Sequence, residues 1–375
     1  MTASASSRAT ASKEPPTELW YSRCGAATAS AIAIRKGWLQ SEFSGGGTVL
    51  HSLRDSNDRS LLDSHYHHQL SGLFREGGNI PPIWARSRGA DTVVVGITWL
   101  DEYQGILTRA GSGIHTPADL AGKRLALPLH GNLIDFQRGA AEHGFVTALG
   151  IAGLRRSDAT FVDLPAPANA PRPDDASRVN RPVFEAEALL SGQVDAIFVR
   201  FARGVRLSRD PRFSQLLNLN ELPDPLLRVN NGTPRPITVD RPFLERHPDL
   251  VIRYLAVLIR TAVWAENHPK ELVELLVAEG AAKSTDEVLD SHGPEVNRSF
   301  FPRLGSDYVN GLEHQKNFLR DHGYLAADFD ARDWIQSEPL REAQSLAARS
   351  PALVEVPEEI VRATGGFSAS AAPLG

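Results

Sequence analysis

Thr116-Pro-Ala-Asp-Leu-Ala-Gly-Lys-Arg-Leu-Ala-Leu-Pro128 reads as a helix cap, a single turn, a stop and a buried strand in immediate succession. The Thr116 hydroxyl suits the N-cap position, and the fixed φ of Pro117 suits the first helical residue. Leu120-Ala-Gly122 ends the turn, and Arg124 to Leu127 begins an apolar strand. The same order of elements returns at Phe184 to Ser191, a helix, followed by the turn and strand Gly192-Gln-Val-Asp-Ala-Ile-Phe-Val199.

Working outward, Glu18 to Ser22 is a short first strand, and Ala26 to Trp38 has a helical pattern. Residues 48–54 suggest another strand, and 58–63 a short helix. Thr92-Val-Val-Val-Gly-Ile-Thr98 is a buried strand by its β-branched run, and Gly105 to Thr108 is the next. Leu133 to Leu149 is helical, and Thr160 to Leu164 is a strand. From Pro242 the chain is mostly helical, with Asp330 to Arg349 as a last helix. This alternation predicts an α/β protein of two lobes with mostly parallel sheets and a helical C-terminal part. The expected first lobe is discontinuous, 18–104 with 236–345, and the second is 105–235. Residues 1–17 and 346–375 are expected as tails, and the chain crosses between lobes near 100–110 and 225–240.

Composition narrows the class. A chain of 375 residues exceeds one ordinary core, and 42% apolar with 23% charged residues is usual for a globular protein. A net charge of −5 without a long Lys/Arg run argues against nucleic acid as a partner. One cysteine excludes an internal disulfide framework and a cysteine-based zinc site. No apolar stretch approaches the ~18 residues of a membrane span. Residues 1–16 lack the apolar core of a signal peptide, so the expectation is a cytoplasmic protein, or a periplasmic one if the true start lies upstream. The P-loop, nucleophile-elbow and H-E-x-x-H patterns do not occur.

Chemistry concentrates in His65-Tyr-His-His-Gln-Leu-Ser-Gly-Leu-Phe-Arg75-Glu-Gly-Gly78-Asn-Ile-Pro-Pro82. Glycines let backbone N–H groups approach a ligand, and an arginine offers a planar fork to an oxyanion. The segment is therefore expected to be an anion-binding loop serving Cys24. The thiol follows a strand at an expected helix start, where N–H groups and the helix dipole favour anions and thiolates. Each residue also has a plainer reading: a buried structural cysteine, a loop histidine, a surface Arg75–Glu76 pair, turn glycines. His67 and His68 have ligand-like spacing, but only Asp63 lies near enough to help them hold a metal, and they are expected as pocket neighbours instead. Arg200 and Arg203 could face the cleft, although exposed arginines are commoner, and Asn230-Asn-Gly232 could be a hinge turn or reach the cleft.

Two resemblances rest on these residues. Thr116–Pro128 and Leu190-Ser-Gly-Gln-Val-Asp-Ala-Ile197 resemble the second lobe of type II periplasmic-binding-protein-like folds, nearest to nitrate-, sulfonate- and taurine-binding proteins of importers. Tyr21-Ser-Arg-Cys24, His65, Arg75, Gly77-Gly78 and Ile80-Pro-Pro82 together resemble the hydroxybiphenyl sulfinate desulfinase family within that fold. Weaker agreement at Trp264-Ala-Glu-Asn-His268 and Gln315-Lys-Asn-Phe-Leu319 extends it across roughly residues 18–340. The resemblance implies an interlobe cleft, no metal or organic cofactor, and cleavage of an aryl carbon–sulfur bond with release of sulfite. It places catalytic roles on Cys24, His65 and Arg75, with Cys24 as nucleophile or proton donor. Substrate contacts are expected from Arg75, Gly77, Gly78, Ser22, Tyr66 and Phe136. The chain departs from the family between Leu127 and Leu149, where it is shorter and Phe136 and Phe145 are the aromatic candidates, and after Cys24, where Gly-Ala-Ala follows. The expected partner is a small organic sulfinate or sulfonate, with a monomer as the simplest assembly. The rival is a solute-binding protein of a sulfonate, nitrate or taurine importer, without catalysis.

Overall fold

The computed structural model describes residues 16–23, 27–167, 183–350 and 353. Among the described residues ten strands form two five-stranded sheets. The first sheet holds β1 (Glu18–Arg23), β2 (Val49–Ser52), β3 (Leu73–Glu76), β4 (Thr92–Thr98) and β10 (Arg235–Asp240), in the order β2-β1-β3-β10-β4. The second holds β5 (Gln104–Arg109), β6 (Arg124–Leu129), β7 (Thr160–Pro165), β8 (Ala196–Arg200) and β9 (Phe213–Asn218), in the order β7-β6-β8-β5-β9. In each sheet the fourth strand in that order, β10 or β5, runs antiparallel to both neighbours. Those two are the strands by which the chain arrives from the other sheet.

Local rules explain most elements. Thr116 caps a short 3-10 turn, Pro117–Leu120, and Asp119 reaches back to the Thr116 N–H at 2.8 Å, closing a capping box. β4 is buried along its whole length, which is why its residues form a continuous apolar run. The helix expected over Ala26–Trp38 is instead two, Ala29–Arg35 and Trp38–Ser44, separated at Gly37, and the start expected at Ala26 lies outside the described residues. The last helix expected from Asp330 is a 3-10 turn, Ala331–Trp334, and then a helix, Glu338–Arg349.

The long helix Pro248–Asn267 covers one face of the first sheet with the helices Ala29–Arg35, Trp38–Ser44 and Glu338–Arg349. Phe74 of β3 stacks on Tyr254 there, ring centroids 4.0 Å apart. A second core lies around the helix Phe136–Ile151, with Phe145, Leu125, Leu127 and Leu319 fully buried. Among the described residues no helix is long and apolar enough to cross a membrane.

Sequence reading missed four of these elements: β3, β9, β10, which lies in the stretch read as a crossover, and the helix Phe201–Ser208. Residues 65–82 are not one loop. His65 lies in the last turn of the helix Arg59–His67, Arg75 in β3, and Ile80–Ser87 is a helix with Pro81 and Pro82 in its first turn. β3 escaped notice because all four of its residues, two of them charged, are buried, which erases the alternation that reveals a half-buried strand.

Candidate functional site

Strand polarity gathers the site. β1, β3 and β8 end at Arg23, Glu76 and Arg200, and the antiparallel β10 and β5 begin beside them at Arg235 and Gln104. Carboxyl ends of parallel strands are where α/β sheets bind ligands. A cavity with about 480 Å³ of empty space, its mouth included, opens there and takes its walls from both sheets.

The first sheet supplies most of the polar wall. Ser22 pairs with Arg75 across β1 and β3, which puts both side chains on one face. Ser22 Oγ lies 2.5 Å from His65 Nδ1. Arg75 donates through Nε to the His65 carbonyl at 3.1 Å, and its Nη2 stands 3.5 Å from His65 Nε2. A guanidinium only donates, so in the Arg75 contact Nε2 is the accepting nitrogen, and the direction of the Ser22–Nδ1 hydrogen bond follows the tautomer. His65, Arg75, Tyr66 and Gly78 line the cavity, with Pro81 beside them. The hydroxyl of Ser22 bonds the histidine, so this serine orients His65.

Gly78 has a steric reason to be glycine. A Cβ there would lie 2.6 Å from Asn231 Nδ2. Asn231 is held in place, its Oδ1 accepting from the Ile80 N–H at 3.0 Å and its carbonyl from the Asn79 N–H at 2.8 Å. Gly77 does not line the cavity. Neither do His67 and His68, although His68 lies near the cavity-lining Arg75. The helix Arg59–His67 ends with His68 in the left-handed conformation, φ 56°, which buries the His68 ring. Burial, with Arg75 and His67 nearby, holds His68 well below the usual histidine range. Among the described residues no group of three His, Cys, Asp or Glu is placed to hold a metal ion.

Cys24 lies outside the described residues. The helix that follows it does not offer its first N–H groups to a ligand, as its sequence suggested. Glu76 accepts from the Ala29 and Ser30 N–H groups at 3.3 and 2.8 Å, and Thr28 Oγ1 accepts from Ala31. Complete burial pushes the Glu76 carboxyl up, against those hydrogen bonds and the nearby Arg235.

The second sheet supplies aromatic walls and a further arginine. Phe136 opens the helix Phe136–Ile151, behind its N-cap Asp135. Phe201 follows β8 at φ 56°, a left-handed conformation uncommon for an aromatic residue and costing about 1–3 kcal/mol. Its neighbour Arg200 lines the cavity too, so the exposed reading of Arg200 is wrong. Phe145, the other aromatic candidate, is core and fully buried. Asn231 and Gly232 reach the cavity from the crossover, and Arg235 completes it.

Comparison with known proteins places this architecture. The sequence pattern described as NMT1/THI5 like matches residues 81–272, just over half of the chain. The chain belongs to the NMT1/THI5-like family. It is 25% identical over 355 residues to the 2'-hydroxybiphenyl-2-sulfinate desulfinase of Rhodococcus erythropolis, covering 87% of this chain and 93% of that relative. A crystal structure of a cysteine-to-serine mutant of DszB in complex with biphenyl-2-sulfinic acid superposes with TM-score 0.70 at 22% identity, over 88% of this chain and 99% of that one. The periplasmic aliphatic sulphonate binding protein SsuA from Escherichia coli gives 0.62 at 17%, over 86% and 93%. The fold is the two-lobed type II periplasmic-binding-protein-like α/β fold, with a cleft between lobes and a helical C-terminal part.

Sequence reading missed Arg235 and Phe201 as residues of this site. Arg235 stands in a Pro-interrupted stretch taken as crossover. Phe201 has no motif beyond its place after a strand. Asn231-Gly232 carried a usable signal, because Asn-Gly marks a turn at which backbone passes close to another group.

Proposed function

We propose that this protein cleaves the carbon–sulfur bond of an organic, aromatic sulfinate, turning sulfinate and water into arene and hydrogen sulfite without a cofactor. The observation that carries the reading is the Ser22–His65–Arg75 chain of contacts on an arginine-bearing, aromatic-walled cavity, beside the strand that leads directly into Cys24. Arg75 and backbone near Gly78 hold the sulfinate oxygens in this proposal, and Phe136, Phe201 and Tyr66 pack the ring. Cys24 supplies the reactive thiol, as nucleophile at sulfur or as proton donor to the ring carbon. His65, oriented by Ser22, accepts and returns its proton. The similarity to a sulfinate desulfinase supports the same chemistry.

A second reading has its own support. Sulfonate-binding proteins share the fold, and an arginine-lined cleft holds an anion equally well without reacting. Incubation with a panel of aryl and alkyl sulfinates and sulfonates, with sulfite assayed, separates the two. Sulfite from an aryl sulfinate, abolished in Cys24→Ser, is the expected result. Tight binding with ligand recovered intact establishes the binder instead.

A further inference from the structure

Glu102 sits in the segment that carries the chain from β4 to β5, and it is fully buried. One carboxylate oxygen accepts from Nε of Arg200, at 2.7 Å, and from its Nη2; Arg200 is the last residue of β8 in the second sheet. The other accepts from Nη2 of Arg235 at 3.0 Å; Arg235 is the first residue of β10 in the first sheet. Arg235 in turn donates through Nε to the Gly232 carbonyl at 2.8 Å and through Nη1 to the carbonyl of Ala27, the third residue after Cys24. Gly232 packs so closely on the carboxylate that a Cβ there would lie 2.1 Å from Glu102 Oε2. Both arginines line the cavity.

We propose that Glu102 is a positioning residue linking the second sheet to the backbone that follows Cys24, by way of Arg200 and Arg235. Its contribution to catalysis rests on the desulfinase reading; its mechanical role does not. A carboxylate serves both guanidiniums at once. A glutamine has one accepting oxygen and turns an N–H₂ toward the other arginine. Removing either Glu102 or Arg200 therefore breaks the same link, although the two changes alter the local charge in opposite senses.

That opposition supplies the test. The 375-residue chain has one cysteine, so iodoacetamide reports on Cys24 alone. By charge alone, Glu102→Gln speeds alkylation by favouring the thiolate, and Arg200→Gln slows it. The proposal expects both ligand-free variants, checked for folding by circular dichroism, to change the rate in the same direction by about tenfold, with the double variant no further from wild type than either single one. Arg200→Lys keeps the charge but loses the fork, and is expected to match Arg200→Gln; this pair carries the test if Glu102→Gln does not fold. Opposite directions, or both Arg200 variants within twofold of wild type, overturn the link. A parallel arm adds biphenyl-2-sulfinate to wild type. Failure to slow alkylation counts against the desulfinase reading, while the ligand-free rates still judge Glu102.

Discussion

The two sheets share one strand order and one antiparallel insertion, yet they bring different chemistry to the cavity between them. The first presents His65, with Ser22 bonded to it, Arg75 and Arg235 from strand ends and one helix terminus, nearly all buried and hydrogen-bonded. The second presents Phe136, Phe201 and Arg200. The first-sheet side of the cavity thus carries a serine–histidine–arginine cluster, and the second-sheet side carries aromatic rings and an arginine. The difference is a general one: topology determines where side chains converge, and residue identity determines what they do there.

The most severe way to break this contrast is to strip each wall in turn. Under the proposed chemistry Arg75→Met on the first-sheet side, and likewise Cys24→Ser, are expected to lower kcat for sulfite release by about a thousandfold or more, seen in steady-state assays with an aryl sulfinate. Comparable losses in kcat from Phe136→Ala would erase the division of labour.

Protonation tests both sides together. Burial pushes His292 down to about 4 and His143, packed on Phe318, down to about 3. The unfolded chain takes up protons on these rings below about pH 6.5, where the folded chain does not. Their contribution is therefore fully present above that pH and shrinks as pH falls toward 4. From pH 7 to pH 5 the loss is about 2 kcal/mol for each ring, read from urea unfolding. His143→Phe should flatten the slope by roughly half of this pair's share, whereas an unchanged slope removes His143 from the account.

Smaller effects sharpen the account of the interface between the walls. Gly78→Ala drives a methyl group into Asn231 and is expected to cost about 1–3 kcal/mol in thermal or urea unfolding. Asn231→Ala should relieve that clash, so the double variant loses less than the sum of the singles. The mildest change is expected from Phe136→Ala or Phe201→Ala: KM for an aryl sulfinate rises about tenfold and kcat moves little. An equal rise for a small alkyl sulfinate would mean that these rings do not recognise the aromatic group.

Much of this was legible before the structure, for reasons that differ from residue to residue. Thr116-Pro117 and the Thr92–Thr98 run declared their elements through local chemistry, a cap and a β-branched run, which act over a few residues. The ten-residue separation of His65 and Arg75 pointed to a shared site only through a family resemblance, and the structure brings the two into contact. β3 was not legible, because burying Arg75 and Glu76 in a central strand depends on partners distant in sequence: His65 for the first, the Ala29 and Ser30 N–H groups for the second.

The amino-acid sequence by itself determined the α/β class, the two-lobed plan and the concentration of reactive side chains around residues 65–78, because periodicity, caps and turn residues are short-range properties. Tertiary structure alone decided that the helix after Cys24 gives its N–H groups to Glu76, that Arg200 pairs with the buried Glu102, and that Arg235 reaches the Ala27 carbonyl. A buried charge is tolerable only where other segments deliver hydrogen bonds to it, and those deliveries, over separations of up to 208 residues, leave no local mark. The segment first read as an anion-binding loop is thus a helix end, a strand and a turn, brought into one site by chain far from it.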